Sequence, residues 1–184
     1  KTGACMVWGG SLGLAPADDK LIQIEKILNV DPEPQLLASI LAKKIAVGSK
    51  YVLIDIPSGN GAKVSELQAK RLKRKFLILG KKLNLKIKVL ITDGSQPIGN
   101  GIGPVLEMMD ILRVLKGENS PKDLEKKSLL LSSKIIEMIY NINGKESMEI
   151  AKEMLYSGKA FKKFEEIIKA QNGKFKNLQP AKLS

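Results

Sequence analysis

Three polar side chains recur at four-residue spacing in the segment that follows Asp31-Pro32. Gln35, Ser39 and Lys43 occupy positions i, i+4 and i+8, so a helix would align them along one face. An amide, a hydroxyl and an ammonium group in one row could together hydrogen-bond a single ligand. A solvated helix face is the alternative, because the same spacing also fits it.

Asp31 is the carboxylate best placed for acid–base chemistry in this region. The chain has no histidine, which excludes Ser/His/Asp and Cys/His relays and histidine zinc sites. Proton transfer must therefore use carboxylates, lysines or tyrosines. Asp31 also has a structural interpretation, since Asp before Pro is a preferred N-cap of a helix. Both interpretations stay open, and no set of acids has the spacing of metal ligands.

Two glycine-rich loops follow apolar segments that predict strands. YVLIDI (51–56) precedes PSGNGAK (57–63), and LKIKVLITD (85–93) precedes GSQPIGNGIGP (94–104). Loops after parallel strands lie where doubly wound sheets bind ligands. Glycines would let a phosphate or sugar approach the backbone, and Lys63 would add a positive charge. Neither loop has a Walker or G-x-G-x-x-G pattern, and tight turns also explain such glycines.

The elements that must position these residues alternate between strand and helix. Apolar periodicity predicts helices over about 65–83 and 105–115, and the helix after Asp31-Pro32 is expected to end at Gly48. Core positions are predicted along the helix after Asp31-Pro32 and along or next to the helix 65–83. They are Leu36, Leu37, Ile40, Leu41, Ile45, Val64, Leu67, Leu72, Phe76, Leu79 and Leu83. Strands alternating with helices predict an α/β fold with a parallel sheet.

The two ends of the chain complete this architecture. Helices are predicted over roughly 121–141, 145–156 and 159–171. Near the N-terminus, Asp18-Asp19 is interpreted as a turn that caps a short helix from Lys20 to Leu28. The predicted fold is therefore a parallel βαβ sheet lobe with helices from a smaller helical lobe and a helical C-terminal region.

Positive charge is concentrated in one part of the chain. The 184 residues include 31 Lys or Arg against 19 Asp or Glu, a net charge of +12. Between Lys63 and Lys88 the only acidic residue is Glu66, so this basic stretch could attract polyanions. Only 4% of the residues are aromatic, which leaves few surfaces on which bases could stack. A lysine-rich solvated face is favoured, and an RNA-binding module is the non-enzyme alternative.

The remaining composition is that of a globular protein of the cell interior. No run approaches the roughly 18 apolar residues of a membrane span, and the N-terminus KTGACMVWGG has no signal-peptide pattern. Cys5 is the single cysteine, so an internal disulfide is excluded and a reduced thiol packed in the core is expected. These features predict a cytoplasmic protein.

Four segments resemble successive blocks of one enzyme family. TGACMVWGGSLGLAPADDK, DPEPQLLASILAKKIAVGS, IDIPSGNGAKV and ITDGSQPIGNGIGP are similar to the thymidine phosphorylase superfamily, and most to its archaeal-type branch, the AMP phosphorylases. The resemblance is strong over residues 2–116. It implies a strand and loop of the α/β lobe in 1–16, part of the helical lobe in 17–47, and the α/β lobe with C-terminal helices in 48–184. The family's phosphate-binding region would precede Lys1 and its C-terminal domain would follow Ser184, so a central fragment is expected.

The resemblance implies phosphorolysis of nucleoside 5′-monophosphates in nucleotide salvage or degradation. Orthophosphate would attack the anomeric carbon, so that AMP gives adenine and ribose 1,5-bisphosphate without a metal or another cofactor. By the same resemblance, Asp31 would be the proton donor, Ser39 and Lys43 would hold the base, and Lys63 would bind the 5′-phosphate. CMP and UMP are further implied substrates, and a homo-oligomer is implied as the assembly.

The enzyme alternatives are a thymidine or pyrimidine-nucleoside phosphorylase and a related phosphoribosyltransferase. In the resemblance, phosphorylases that use nucleosides have an aromatic residue where Lys63 stands and a ring-reading Arg where Ile24 stands. Both departures favour the nucleotide-using branch. The substrate is expected to bridge the two lobes, which would close about linkers near 15–17 and 47–50.

Overall fold

The protein is an α/β chain in a computed structural model that describes residues 2–7, 13, 16–28, 30 and 32–174. Within these ranges it forms seven helices and two strands. They are α1 (Pro16–Leu28), α2 (Glu33–Ala46), β1 (Tyr51–Ser58), α3 (Glu66–Lys82), β2 (Lys86–Asp93), α4 (Pro104–Lys116), α5 (Lys122–Tyr140), α6 (Gly144–Tyr156) and α7 (Lys159–Ala170). The predicted fold class is confirmed.

β1 and β2 form the predicted parallel pair. The N–H of Lys86 donates to the carbonyl of Lys50 at 3.0 Å, and the N–H of Gly94 donates to the carbonyl of Ser58 at 2.9 Å. Residue numbers therefore rise together along both strands. Parallel neighbours need a crossover connection, and α3 supplies it as the helix of a βαβ unit.

Packing divides the chain into two compact units. The helix–sheet unit comprises residues 6–56 and 66–91, and the helical unit comprises residues 1–5, 57–65 and 92–184. The helix–sheet unit buries apolar side chains from α2, β1, α3 and β2, namely Leu37, Leu41, Val52, Ile54, Ile56, Ala69, Leu72, Phe76 and Val89. Alternate residues of β1 face this core, as the period of a strand requires. The predicted domain boundaries at 16/17 and 47/48 stay a prediction.

α3 approaches β2 closely at one point, and its apolar face extends beyond the core at both ends. A Cβ placed on Gly80 would lie 2.6 Å from Ile87 Cδ1, so a glycine at this position allows the contact. Leu67 and Leu83 were expected in the core, but they are 82% and 43% exposed. Ile45, near the end of α2, is likewise 46% exposed. The apolar faces of α2 and α3 thus extend beyond the region that the other elements of the unit cover.

The helical unit contains α4 to α7, and the four predicted helices are confirmed. Gly117 ends α4 in the left-handed conformation, and its N–H returns to the carbonyls of the last turn. Asn143 begins α6, because its side-chain oxygen accepts the N–H groups of Lys145 and Glu146. The buried apolar side chains of this unit are Val114, Leu129, Ala151 and Ile167.

Two expectations for the first residues are wrong. α1 begins at Pro16 rather than Lys20, so Asp18 and Asp19 belong to its first turn instead of a turn that precedes it. Cys5 is exposed rather than packed in the core. None of the described helices is long and apolar enough to cross a membrane.

Candidate active site

The polar face of α2 converges on a carboxylate of α1 within the helix–sheet unit. Asp18 Oδ2 accepts hydrogen bonds from Ser39 Oγ at 2.8 Å and from Lys43 Nζ at 2.9 Å. Asp18 Oδ1 accepts from Gln35 Nε2 at 3.2 Å. The three side chains that share four-residue spacing therefore meet at one group. We call Asp18, Gln35, Ser39 and Lys43 the Asp18 cluster.

Asp18 stays charged although it is only 7% exposed. Burial by itself raises the pKa of a carboxyl group, because it disfavours the charged form. In Asp18 this is outweighed by the hydrogen bonds from Lys43 and Ser39, the positive charge of Lys43 and the bond from Gln35, which together lower the pKa. Asp18 is therefore a carboxylate at neutral pH and can only accept hydrogen bonds.

Sequence reasoning missed Asp18 as a member of the site. A proline at the first helical position followed by acids in the first turn is a typical helix start, because proline presets the backbone angle and the dipole favours negative charge. Pro16, Asp18 and Asp19 supply this signal. It locates the helix, but the partners of Asp18 lie 17 or more residues away in the chain.

Glu33 connects the start of α2 to α3. Its carboxylate accepts hydrogen bonds from Lys75 and, at 2.5 Å, from Arg71 Nη2. The hydrogen bond from Lys75 lowers the pKa of Glu33 most, burial opposes it, and the hydrogen bond from Arg71 adds to the lowering. Two of the basic residues between Lys63 and Lys88 are thus ion-paired, and they hold the end of α2 that follows Asp31.

The predicted loop 57–63 includes the last two residues of β1, Pro57 and Ser58, and belongs to the helical unit. Gly59 has a φ of 146°, which favours glycine, and a Cβ there would lie 3.4 Å from Ser95 Cβ. Lys63 is exposed at the end of the loop. Among the described residues, the backbone N–H groups of Asn60 and Gly61 find no hydrogen-bond acceptor. The loop therefore presents donors and a positive charge.

The loop 94–103 follows β2 and donates its N–H groups to carboxylates of α4 and α5. Asp110 Oδ2 accepts from Asn100 at 2.7 Å and from Gly101 at 2.8 Å. Two further carboxylates accept from this loop, Asp123 from Gly99 at 3.0 Å and Glu107 from Gly103 at 2.9 Å. The amides that a bound anion would need are therefore used within the protein.

Asp110 is the principal anchor of the loop 94–103. It is 2% exposed, and its Oδ1 also accepts from Arg113 Nη1 at 3.1 Å. The N–H of Asn100 lowers the pKa of Asp110 most, burial opposes it, and Gly101 and Arg113 add to the lowering. The carboxylate of Asp110 thus accepts the N–H groups that could otherwise bind an external anion.

The two loops touch each other inside the helical unit at Gly94. A Cβ on Gly94 would lie 2.9 Å from the carbonyl carbon of Pro57 and 3.0 Å from the nitrogen of Ser58. Asp93 Oδ1 accepts from the N–H and the hydroxyl of Ser95, at 2.9 and 2.7 Å, so Asp93-Gly94 forms the turn that the dipeptide indicates.

The predicted site residues fall into three groups. Ser39 and Lys43 are brought together on Asp18 in the helix–sheet unit. Lys63 lies in the helical unit. Asp31 lies outside the described residues, so its role as proton donor stays a prediction from the sequence.

Known proteins are similar to this chain in sequence. No model of a known protein family matches it. An AMP phosphorylase of Pyrococcus horikoshii is 47% identical over 98% of the chain and 36% of its own length. An AMP phosphorylase of Methanococcus maripaludis is 45% identical over 94% of the chain and 34% of its own length. The chain is homologous to AMP phosphorylases. It spans about a third of the length of the curated relatives it matches.

One relative has a different name at the same level of similarity. A protein of Albidiferax ferrireducens named "Putative thymidine phosphorylase" is 46% identical over 92% of the chain and 33% of its own length. The resemblance to AMP phosphorylases inferred from the sequence motifs is confirmed. The name of this relative agrees with the wider superfamily to which those motifs were compared.

Proposed function

We propose that the protein carrying this chain catalyses phosphorolysis of nucleoside 5′-monophosphates. In the proposed reaction AMP and orthophosphate give adenine and ribose 1,5-bisphosphate. The observation that carries the proposal is the 45–47% identity to AMP phosphorylases over nearly the whole chain. Orthophosphate is the second substrate, and the proposal includes no resident metal or cofactor.

The Asp18 cluster is proposed to contact the base through Ser39 and Lys43. Both side chains are partly exposed, so they can reach a ligand while they hold Asp18. A few well-placed polar contacts of this kind orient the base as the leaving group while orthophosphate attacks the anomeric carbon of the ribose. Asp31 is proposed to protonate the leaving base, which lowers the barrier to its departure.

The loop 57–63 is proposed to bind the 5′-phosphate. Lys63 supplies the charge, and the N–H groups of Asn60 and Gly61 are donors of the kind that bind phosphate in glycine-rich loops. Charge-assisted hydrogen bonds to a phosphate are stronger than neutral ones, so this contact distinguishes a nucleotide from a nucleoside. A homo-oligomer in the cytoplasm is part of the proposal.

A phosphate-dependent assay of base release by the full-length protein tests the proposal. AMP, adenosine and thymidine are compared at equal concentration with and without orthophosphate. The proposal predicts release from AMP that requires orthophosphate and exceeds release from either nucleoside. Preference for thymidine would instead favour a nucleoside phosphorylase, the second candidate, which the name of the Albidiferax relative supports.

A further inference from the structure

The residues on both sides of Asp31 are held by backbone hydrogen bonds. On one side, the N–H of Val30 donates to the carbonyl of Glu25 in α1 at 3.1 Å. On the other side, the carbonyl of Pro32 accepts two N–H groups from the first turn of α2, at 3.0 and 3.1 Å. Pro32 has a φ of −72°, fixed by its ring, and a proline also restricts the backbone of the residue before it. Where the chain places Asp31 therefore depends on the end of α1 and the start of α2.

The start of α2 lacks the usual side-chain cap. Its N-cap is Pro32, which has no side-chain oxygen to accept the N–H groups of the first turn. A helix end without such a cap frays more readily than the turns behind it. The buried leucines of α2, Leu37 and Leu41, lie one and two turns further along, so the core holds α2 there and not at its start. Another contact must hold the first turn.

Glu33 provides this contact. Its side chain is 20% exposed, and its carboxylate accepts hydrogen bonds from Lys75 Nζ and, at 2.5 Å, from Arg71 Nη2. Arg71 and Lys75 lie one turn apart on α3, so one carboxylate bridges two cations on the same helix face. Several charges in one network stabilise a contact more than an isolated exposed pair does. Because α3 is the crossover helix between β1 and β2, Glu33 connects the first turn of α2 to the element that packs on the sheet.

We propose that Glu33 is a positioning residue for Asp31, because it holds the first turn of α2 against α3 and so fixes the segment from which Asp31 protonates the leaving base. This inference rests on the proposed function, in which Asp31 is the proton donor. Glu33 acts through the backbone and needs no contact with the substrate.

Covalent geometry makes Asp31 sensitive to the first turn of α2. Asp31 and Glu33 are two positions apart, so their Cα atoms lie within roughly 7 Å of each other. Pro32 stands between them and removes one of the rotations that could absorb a shift of Glu33. A proton donor must lie within hydrogen-bond reach of the atom that it protonates, and a misplacement of about 1 Å can cost about 100-fold in rate.

Steady-state kinetics of the full-length protein with AMP and orthophosphate test the inference. Glu33→Gln keeps the size of the side chain and removes its charge. We expect kcat to fall by roughly 10-fold while KM for AMP changes little, because Asp31 acts on proton transfer and not on binding.

Two matched variants test the ion pairs from the other helix. Arg71→Gln combined with Lys75→Gln removes the same contact and should reproduce the loss in kcat, whether or not Glu33→Gln folds well. Lys70→Gln combined with Arg74→Gln neutralises two exposed cations of α3 with the same spacing and should leave kcat intact.

A third control matches Glu33 itself. Glu66→Gln makes the same change in the first turn of α3 and should also leave kcat intact.

A double variant separates positioning from a structural role. Since Glu33 acts through Asp31, adding Glu33→Gln to Asp31→Asn should lower kcat no further than Asp31→Asn alone. A purely structural role would instead lower kcat by the same factor in both backgrounds, because it would reduce the amount of folded protein whatever residue stands at position 31.

The contrary outcomes are distinct. The same loss in both backgrounds would overturn the inference, and so would a kcat of Glu33→Gln within about threefold of the unaltered protein. Failure of the proposed function has another signature. The unaltered protein would then release no base from AMP, or Asp31→Asn alone would leave turnover intact, and the inference would fall with it.

Discussion

The two glycine-rich loops follow neighbouring parallel strands at corresponding places, yet they treat their backbone N–H groups differently. The loop 94–103 donates to the carboxylates of Asp110, Asp123 and Glu107. The loop 57–63 ends at the cation Lys63, and Asn60 and Gly61 donate to no acceptor among the described residues. Glycine content alone therefore does not identify an anion site. What differs is whether carboxylates of the protein accept the backbone N–H groups of the loop.

This comparison predicts three kinds of effect. Changes in the loop 57–63 should alter substrate affinity, changes around the loop 94–103 should alter stability, and neither should act mainly on turnover. The residue whose substitution should act mainly on turnover is Asp31, which lies outside both loops.

Asp31→Asn should produce the largest effect. Proton transfer to the leaving base is lost, so kcat for AMP should fall by about 100-fold or more while KM changes little. Steady-state kinetics of the full-length protein measure both. The interpretation of Asp31 as the N-cap is wrong, because the N-cap of α2 is Pro32. Turnover within about threefold of the unaltered protein would remove Asp31 from the mechanism.

Lys63→Ala should act on affinity for the nucleotide. A charged hydrogen bond to the 5′-phosphate exists in ground and transition states alike, so KM for AMP should rise by about 30- to 150-fold with kcat nearly unchanged. KM for adenosine should barely move. Lys70→Ala, which removes an exposed lysine of α3, is the matched control and should leave both values intact. Equal damage for AMP and adenosine would remove Lys63 from the phosphate site.

Asp110→Ala should act on stability instead. Two backbone N–H groups, of Asn100 and Gly101, would lose their acceptor, so the melting temperature should fall by roughly 5 to 10 °C while KM for AMP in the folded fraction stays the same. Asp123→Ala, which frees the single N–H of Gly99 from its acceptor, should cost less. A raised KM with unchanged melting would contradict the assignment of this loop to the fold.

The smallest expected effect is the pH dependence of the same contact. The pKa of Asp110 in the folded protein lies below its ordinary value of 3.8, so its stabilisation is complete above that pH and is lost as the pH falls through the folded pKa. The difference in melting temperature between the unaltered protein and Asp110→Asn should be constant from about pH 7 to 5 and shrink below about pH 4. A difference that grows on acidification would have the wrong sign.

Local signals were sufficient for most of the architecture. Apolar runs bounded by glycine predicted both strands, and Gly117 and Asn143 punctuate the helices that the periodicity predicts. The same periodicity overestimated the core, since Leu67 and Leu83 continue the apolar stripe of α3 but are exposed. A stripe shows which face of a helix is apolar, whereas the extent of burial depends on the elements that cover it.

The candidate site was predictable only in part. The spacing of Gln35, Ser39 and Lys43 indicated a shared target, because residues four apart lie on one helix face. The identity of that target did not follow, since Asp18 belongs to another helix and meets α2 through tertiary packing. The carboxylates that accept hydrogen bonds from the loop 94–103 were missed for the same reason. Asp123, for example, lies 24 residues from its partner Gly99.

Hydrogen exchange of the two loops in the full-length protein, with and without AMP, tests the central claim most directly. Without ligand, the amides of Asn100 and Gly101 should exchange slowly because Asp110 accepts them, and those of Asn60 and Gly61 should exchange fast. Saturating AMP should slow exchange in the loop 57–63 and leave the loop 94–103 unchanged, whereas adenosine should protect neither. Protection of the loop 94–103 by AMP, or equal protection of the loop 57–63 by adenosine, would contradict the assignment of the phosphate to the loop 57–63.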